Sequence, residues 1–198
     1  MSATDMKLEV QIIAVSDIDR SKAFYERLGW RLDEDVAPMP GLRIVQFTPP
    51  GSGTSVDFGE GITTAPPGTG EATLVVTDIE AARNALVGRG IEVSDIWHGP
   101  PFPVEARQPG TDPERASYGS FFSFTDPDGN TFITQEVTTR RPGRIDAGET
   151  GYVSAADLEA ALTRAEAAHS ERDGQDENWA SWYASYMVAE QAGTDLPS

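Results

Sequence analysis

The chain contains two copies of one short pattern, VSDIDRSKAFYERLGW at residues 15–30 and VTDIEAARNALVGRGI at residues 76–91. In each copy an apolar, β-rich run leads to an aspartate, Asp17 or Asp78, at the position where a helix N-cap accepts backbone N–H groups. Apolar residues at helical spacing follow each aspartate. The sequence therefore predicts a duplicated strand–helix unit, and this duplication constrains the fold more than any other feature.

Each copy continues into the pattern of a small sheet. A glycine, Gly29 or Gly90, stands twelve residues after each aspartate, where a left-handed C-cap is typical. Three β-rich runs follow in each copy, at 30–36, 42–49 and 54–60 and at 91–97, 118–126 and 130–137. The order is βαβββ twice, which indicates an α+β fold. Two paired modules can bury the hydrophobic face that one module alone would leave exposed. Module one is assigned to residues 7–60 and module two to residues 70–140.

Charge and composition exclude several classes of function. The 198 residues carry a formal net charge of −17, which repels phosphate backbones and anionic lipid, so neither nucleic acid nor a membrane is an expected partner. There is no cysteine, and therefore no disulfide, thiolate metal site or cysteine nucleophile. No apolar run approaches the roughly 20 residues of a membrane span, and the N-terminus does not read as a secretory signal. We expect a cytoplasmic protein.

The last quarter of the chain differs from the repeats. Residues 141–153 read as a linker, and residues 154–198 as a C-terminal helical extension with helices at 154–169 and 179–191. The second helix carries a broad aromatic face, formed by Trp179, Trp182, Tyr183, Tyr186 and Met187. This face suits packing over the domain or across a dimer interface, docking of another protein, or covering of a ligand cavity.

The doubled units, together with DPDGN at residues 126–130, resemble the vicinal oxygen chelate superfamily. That superfamily includes glyoxalase I, extradiol dioxygenases, fosfomycin-modifying enzymes and bleomycin-binding resistance proteins. The chain is also similar to glyoxalase-like proteins of actinobacteria. The resemblance implies that residues 1–140 form a glyoxalase-like domain. In that domain the two βαβββ modules would make an incompletely closed eight-stranded barrel around a cavity.

The resemblance also implies four positions for metal ligands, usually histidine on the first strand of each module and glutamate on the last. Counting from the repeated aspartates and turn glycines, these positions are Val10, Glu60, Glu71 and Glu136. Valine cannot bind a metal and the histidines are absent, so we expect no metal cofactor. The alternative is one divalent ion held by Glu136, Glu71 and Glu60, since carboxylates suit Mg²⁺ or Mn²⁺. Glu136 is the candidate catalytic residue. The alternatives are a buried, hydrogen-bonded carboxylate or a strand-end glutamate that faces water.

Aromatic side chains supply the candidate ligand-binding surface. His98 opens a long proline-rich loop that reaches about residue 117, and loops of this length often cover a site. The candidate ligand contacts are Phe47, Phe58, Trp97, His98, Phe102, Tyr118, Phe121, Phe132 and Glu136. Most of these rings could equally belong to the core.

The expected function is binding of a small molecule in the barrel cavity by a homodimeric protein of the glyoxalase/bleomycin-resistance type, without the usual metal centre. One alternative is a divalent-metal-dependent lyase, isomerase or dioxygenase. A second alternative is a protein-interaction scaffold that acts through the aromatic C-terminal helix.

Overall fold

The computed structural model describes residues 6–100, 102–142, 151–152, 154–170 and 179–197. These residues fall into two units. The N-terminal unit contains the described residues up to Arg115 together with Gly119–Glu136. The C-terminal unit contains Ala116–Tyr118 and the described residues from Val137 onward.

Module one has the predicted βαβββ order. Its elements are β1 (Val10–Ile12), α1 (Ile18–Leu28), β2 (Arg31–Met39), β3 (Leu42–Thr48) and β4 (Ser55–Glu60). The strand order in the sheet is β1-β4-β3-β2, with β1 parallel to β4 and the other pairs antiparallel. Helix α1 begins where predicted, because the Asp17 side chain accepts the backbone N–H of Arg20 at 3.0 Å. It ends at Gly29, whose φ of 80° makes it a left-handed C-cap.

Module two repeats this order with one addition. Its elements are β5 (Glu71–Val76), α2 (Ile79–Gly88), β6 (Trp97–His98), β7 (Gln108–Pro109), β8 (Ser120–Thr125) and β9 (Thr131–Glu136). The sheet order is β5-β9-β8-β6-β7, so the proline-rich loop contributes a short fifth strand that the sequence did not predict. The two-module α+β fold, with two sheets that do not close, is confirmed.

The strand predicted at 91–97 is largely wrong. Only Trp97 and His98 form a strand there, together with an isolated bridge between Val93 and Phe124. Between these points the hydroxyl of Ser94 accepts the backbone N–H of Ser123 at 2.9 Å. A side chain thus replaces the next rung of the ladder, and regular pairing stops.

The two modules share one core on the helix-bearing side of their sheets. The Tyr25 ring of α1 lies 5.2 Å from Phe58 of its own sheet and 6.2 Å from Phe132 of the other, between ring centroids. Trp30 also meets Phe132, at 5.6 Å and 90°. Burying side chains of this size stabilises the fold by roughly 1.5–3 kcal/mol each before entropic losses. Neither module could bury these rings alone.

The DPDGN turn joins module two to helix α1. Asp126 is only 4% exposed, and it accepts four hydrogen bonds. The Tyr25 hydroxyl donates to it from 3.1 Å and the Asn130 side-chain amide from 2.7 Å. The backbone N–H groups of Asp128 and Asn130 donate from 2.9 Å each. The segment predicted as a hairpin turn is therefore also a contact between the modules.

Asn130 extends this contact to the residues that follow β1 and precede β5. Its amide nitrogen donates to the carbonyl of Ala14 at 2.9 Å, and its amide oxygen accepts the N–H of Gly70 at 2.8 Å. On the same turn, Asp128 accepts a hydrogen bond from Arg20 of α1 at 2.8 Å. We call Asp126, Asp128 and Asn130 the inter-module clamp.

The C-terminal unit contains the predicted helix pair, α3 (Ala155–Ser170) and α4 (Trp179–Ala192). Trp182 and Tyr186 are each 8% exposed and pack with the buried Ala165 of α3. Arg164 and Glu190 join the helices through two hydrogen bonds of 2.7 and 2.9 Å. Much of the aromatic face of α4 is thus used between the two helices. Within the described part of the chain, no helix is long and apolar enough to cross a membrane.

Candidate functional site

The candidate site is the face of the two sheets that turns away from the shared core, which we call the open face. In module two the strand register pairs Glu71 with Thr131, Thr73 with Ile133 and Val75 with Gln135. These residues alternate with the buried Phe132, Thr134 and Glu136, so they point to the opposite side of the sheet. In module one the corresponding row runs from Ile12 through Asp57 and Gln46 to Glu34.

The open face combines apolar and polar side chains. Ile12, at the end of β1, is 50% exposed and Val75, in β5, is 41% exposed, and each of these strands lies at an edge of its sheet. Each of these two residues shares its sheet row with carboxylate or amide side chains, Asp57, Gln46 and Glu34 in one sheet and Gln135 in the other. A surface of this kind can hold an apolar ligand body and orient its polar groups.

Asp57 is a partly buried carboxylate of the open face. Its Oδ1 atom is buried and has no hydrogen-bond partner among the described residues. Burial raises the pKa of Asp57 above its usual value of 3.8, and the carboxylates of Glu34 and Asp33 raise it further against an opposing hydrogen bond with Gln46. The site therefore keeps an unfavourable negative charge that a ligand donor could satisfy.

Replacing Asp57 with asparagine is expected to raise the midpoint of thermal unfolding at neutral pH, because the partly buried charge is removed. The destabilising effect of the charge is complete above the raised pKa of the folded state. The destabilising effect disappears as the pH falls from the raised pKa of Asp57 in the folded state to its lower pKa in the unfolded state, because folding takes up a proton in this range. The gain should therefore shrink as the pH is lowered to about 4. A gain that is constant with pH, or equal to that of the exposed Asp95→Asn variant, would contradict this account.

Trp97 is the aromatic anchor of module two. It is 6% exposed, stacks on Phe121 at 5.8 Å, and carries the Arg107 guanidinium 4.1 Å from its ring centroid. The register Trp97–Phe121–Gln135 places all three on the side of the open face. The indole Nε1 is buried without a hydrogen-bond partner in the described structure, so a second polar atom on this side is unsatisfied.

A cleft of about 260 Å³ lies at one end of the open face. Glu71, Thr73, Thr131 and Ile133 line it, and Phe102 reaches it from the proline-rich loop. Phe102 is 62% exposed, which leaves its ring available for contact with a ligand. The structure thus brings two of the predicted residues, Glu71 and Phe102, into one place.

Glu136 lies on the other side of the sheet, beneath the first turn of α2. It is 1% exposed. Its Oε1 accepts the backbone N–H of Ile79 at 3.1 Å and a guanidinium N–H of Arg115 at 2.7 Å. Its Oε2 is buried without a hydrogen-bond partner among the described residues. The contacts of Glu136 are those of a carboxylate that anchors a helix N-terminus.

The residues at the implied metal positions do not fit a metal centre. Glu71 belongs to the open face and Glu136 to the core face of the same sheet, while Glu60 is exposed at the end of β4 in the other sheet. Val10 offers no donor atom. Across the described ranges, no three histidine, aspartate or glutamate residues lie close enough to hold a metal ion. The alternative set of three carboxylates is not assembled.

The remaining predicted contacts are distributed over different surroundings. Phe47, Phe58 and Phe132 lie in the shared core, with at most 1% of each residue exposed. The Nδ1 atom of His98 is 3.1 Å from the carbonyl oxygen of Gly110 in the loop. Tyr118 belongs to the C-terminal unit, where its ring is 4.5 Å from the guanidinium of Arg141.

Sequence reasoning missed several residues of the open face, notably Glu34, Gln46, Asp57 and Ile133. A signal for Ile133 was present. Strict alternation in β9 groups Phe132 and Thr134 with Glu136, so the other parity had to face the opposite side. For Asp57, an acidic residue between Val56 and Phe58 indicated the same parity in β4.

Comparison with known proteins agrees with this architecture. No protein of curated function matches the chain. Among solved structures, TnmS3, an antibiotic binding protein from Streptomyces sp. CB03234, is 28% identical, with 68% of this chain and 98% of that chain covered and a TM-score of 0.52. A member of the Glyoxalase/bleomycin resistance protein/dioxygenase superfamily from Sphaerobacter thermophilus DSM 20745 is also 28% identical. The match covers 67% of this chain and 98% of that chain, with a TM-score of 0.51.

A family model matches residues 7–134, which is more than half of the chain and spans both modules. The matched segment contains the repeated helices, the inter-module clamp and most of the open face. The chain therefore belongs to the Glyoxalase/Bleomycin resistance protein/Dioxygenase superfamily.

Proposed function

We propose that this protein binds a small molecule on the open face and does so without a metal ion. The observation that carries the proposal is the composition of that face. Two half-exposed aliphatic side chains, Ile12 and Val75, share their sheet rows with Asp57 and Trp97. The Asp57 Oδ1 and Trp97 Nε1 atoms are buried and have no hydrogen-bond partner in the described structure. A ligand with an apolar body and a few polar groups would cover the first and satisfy the second.

The electrostatics favour a neutral or cationic ligand. Asp57, Glu34 and Glu71 all face this surface, and the whole chain carries a net charge of −17. An anionic ligand would meet repulsion both locally and from the protein as a whole. The antibiotic-binding relative supports the general class, because its 28% identity extends over 98% of its own length. An aromatic amine fits these requirements.

The test is a titration of the full chain with matched pairs of aromatic amines and aromatic carboxylates, in which tryptophan fluorescence reports binding. We expect the binding that Ile133→Thr weakens, which is binding on the open face, to be tighter for the amines than for the carboxylates. Ile133→Thr keeps the β-branched shape but places a hydroxyl in the cleft, so it is expected to weaken binding by about threefold to tenfold. Val87→Thr makes the same kind of change on the exposed surface of α2 and is the control.

Two results would contradict the proposal. One is equal affinity of Ile133→Thr and Val87→Thr for every ligand that binds. The other is one tightly held divalent ion per chain in protein purified without chelators, because the donor set described above cannot account for such an ion. Turnover of a bound compound without metal would instead make the open face an active site and leave its assignment as the ligand site intact.

The other expectations remain predictions. A metal-dependent lyase, isomerase or dioxygenase needs a donor set that the implied positions do not provide. A scaffold role of α4 would rely on its exposed surface, including Trp179, which is 60% exposed. The homodimer, the cytoplasmic location and the lack of nucleic-acid binding are likewise predictions.

A further inference from the structure

A second cavity, of about 410 Å³, lies within the C-terminal unit and is separate from the open face. Segments 117–118 and 139–142 form one part of its wall, and residues of α3 and α4 form another. Its volume falls in the range of small-molecule sites, roughly 300–1,000 Å³. Nine of its eleven lining residues lie beyond residue 134, where the family match ends.

Three arginines line this cavity although acidic residues outnumber basic ones two to one in the chain. Arg164 is paired with Glu190 through two hydrogen bonds, which raise its pKa. Arg140 and Arg141 form no ion pair with any residue that the structure describes, and Arg140 is only partly exposed. Arg141 is exposed, and both guanidinium groups line the cavity without an ion-pair partner among the described residues. Guanidinium is the side chain best suited to bind a carboxylate through two parallel hydrogen bonds.

Tyrosines supply further contacts in the same cavity. The Tyr152 hydroxyl is buried without a hydrogen-bond partner among the described residues, although it can donate one hydrogen bond. Burial, followed by the charges of Glu190 and Asp157, raises its pKa, so the hydroxyl stays protonated at neutral pH. The Tyr118 ring, held against the Arg141 guanidinium, adds an aromatic surface.

We propose that this cavity binds a small aromatic monocarboxylate. Arg140 and Arg141 would hold the carboxylate, the Tyr152 hydroxyl would donate to it, and the ring would lie along Tyr118. The carboxylates of Asp157 and Glu190 also line the cavity and disfavour a second negative charge on the ligand. They therefore select against phosphate and other dianions. This inference is independent of the proposed function of the open face.

The test is isothermal titration of the full chain with 2-naphthoate at constant ionic strength. The uncharged 2-naphthamide and inorganic phosphate are the comparison probes. We expect saturable binding of one naphthoate per cavity, and at least about tenfold weaker binding of each comparison probe. The wild-type comparison does not depend on any variant folding correctly.

The variants locate the site. Arg140→Gln combined with Arg141→Gln is expected to weaken naphthoate binding by about tenfold or more, and Tyr152→Phe by a few fold. Arg27→Gln, on the exposed surface of α1, removes one charge elsewhere and should leave the affinity unchanged. Equal affinity in the double variant and in Arg27→Gln would overturn the proposal, as would phosphate or naphthamide binding as tightly as naphthoate.

Discussion

Asp126→Ala is expected to lower the free energy of unfolding by about 3 kcal/mol, because it leaves several buried donors without an acceptor. The Tyr25 hydroxyl, the Asn130 side chain and the N–H groups of Asp128 and Asn130 all donate to this carboxylate. Urea denaturation followed by tryptophan fluorescence measures the change. Tyr25→Phe removes a single donor, so its cost is expected to be smaller, about 1 kcal/mol.

Asp95→Ala is the matched control for this prediction. The Asp95 side chain is fully exposed and pairs with Arg83 at 3.1 Å, so its loss should leave stability unchanged within error. If Asp126→Ala unfolds at the same urea concentration as Asp95→Ala, the inter-module clamp does not stabilise the fold. Combining Asp126→Ala with Tyr25→Phe measures their coupling, and simple additivity would argue against the Tyr25–Asp126 hydrogen bond.

The second large effect is expected at Glu136. Glu136→Ala should lower the free energy of unfolding by about 3 kcal/mol, because Arg115 loses a buried partner and the Ile79 N–H loses its acceptor. Glu136→Gln retains an oxygen for Ile79 and should cost less than the alanine variant. Thermal and urea unfolding of both variants give the comparison.

The same variants distinguish a structural role from a chemical one. If Glu136 only anchors α2, ligand affinity on the open face should be unchanged in Glu136→Gln once the protein is folded. If Glu136→Gln is as stable as the wild type but loses ligand binding or a bound metal ion, the anchoring role is wrong. The sequence-based prediction of Glu136 as a ligand contact or base would then hold.

The sequence predicted the architecture well because the relevant signals are local. The N-cap aspartates, the left-handed Gly29 and the period of each helix lie within one turn or one element. The two modules and the C-terminal helix pair follow from them. The prediction of a strand at 91–97 was largely wrong, although the apolar pattern there fits a strand. The Ser94 hydroxyl accepts the backbone N–H of Ser123 and interrupts the regular backbone pairing.

The candidate site was harder to predict because a period of two does not say which face meets the helix. Phe132, Thr134 and Glu136 were correctly placed on one face, but the structure turns that face towards the core and away from the open face that we propose as the ligand site. The decisive partners of Glu136 are Arg115 and Ile79, 21 and 57 residues away in the chain. The bond between Tyr25 and Asp126 spans 101 residues. Contacts at such separations carry no local signal in a single sequence.

The inter-module clamp also makes the two modules of the chain non-equivalent. Matching Gly53 to Gly129 makes residues 50–54 of module one, PGSGT, equivalent to DPDGN in module two, but this first turn has no carboxylate. Two identical modules would form the clamp twice or not at all, whereas this chain forms it once, from module two to helix α1. The halves are therefore no longer interchangeable. Reversing their order would preserve the hydrophobic pattern of each, yet it would change the path of the chain between them and leave a single asymmetric contact to hold the correct pairing.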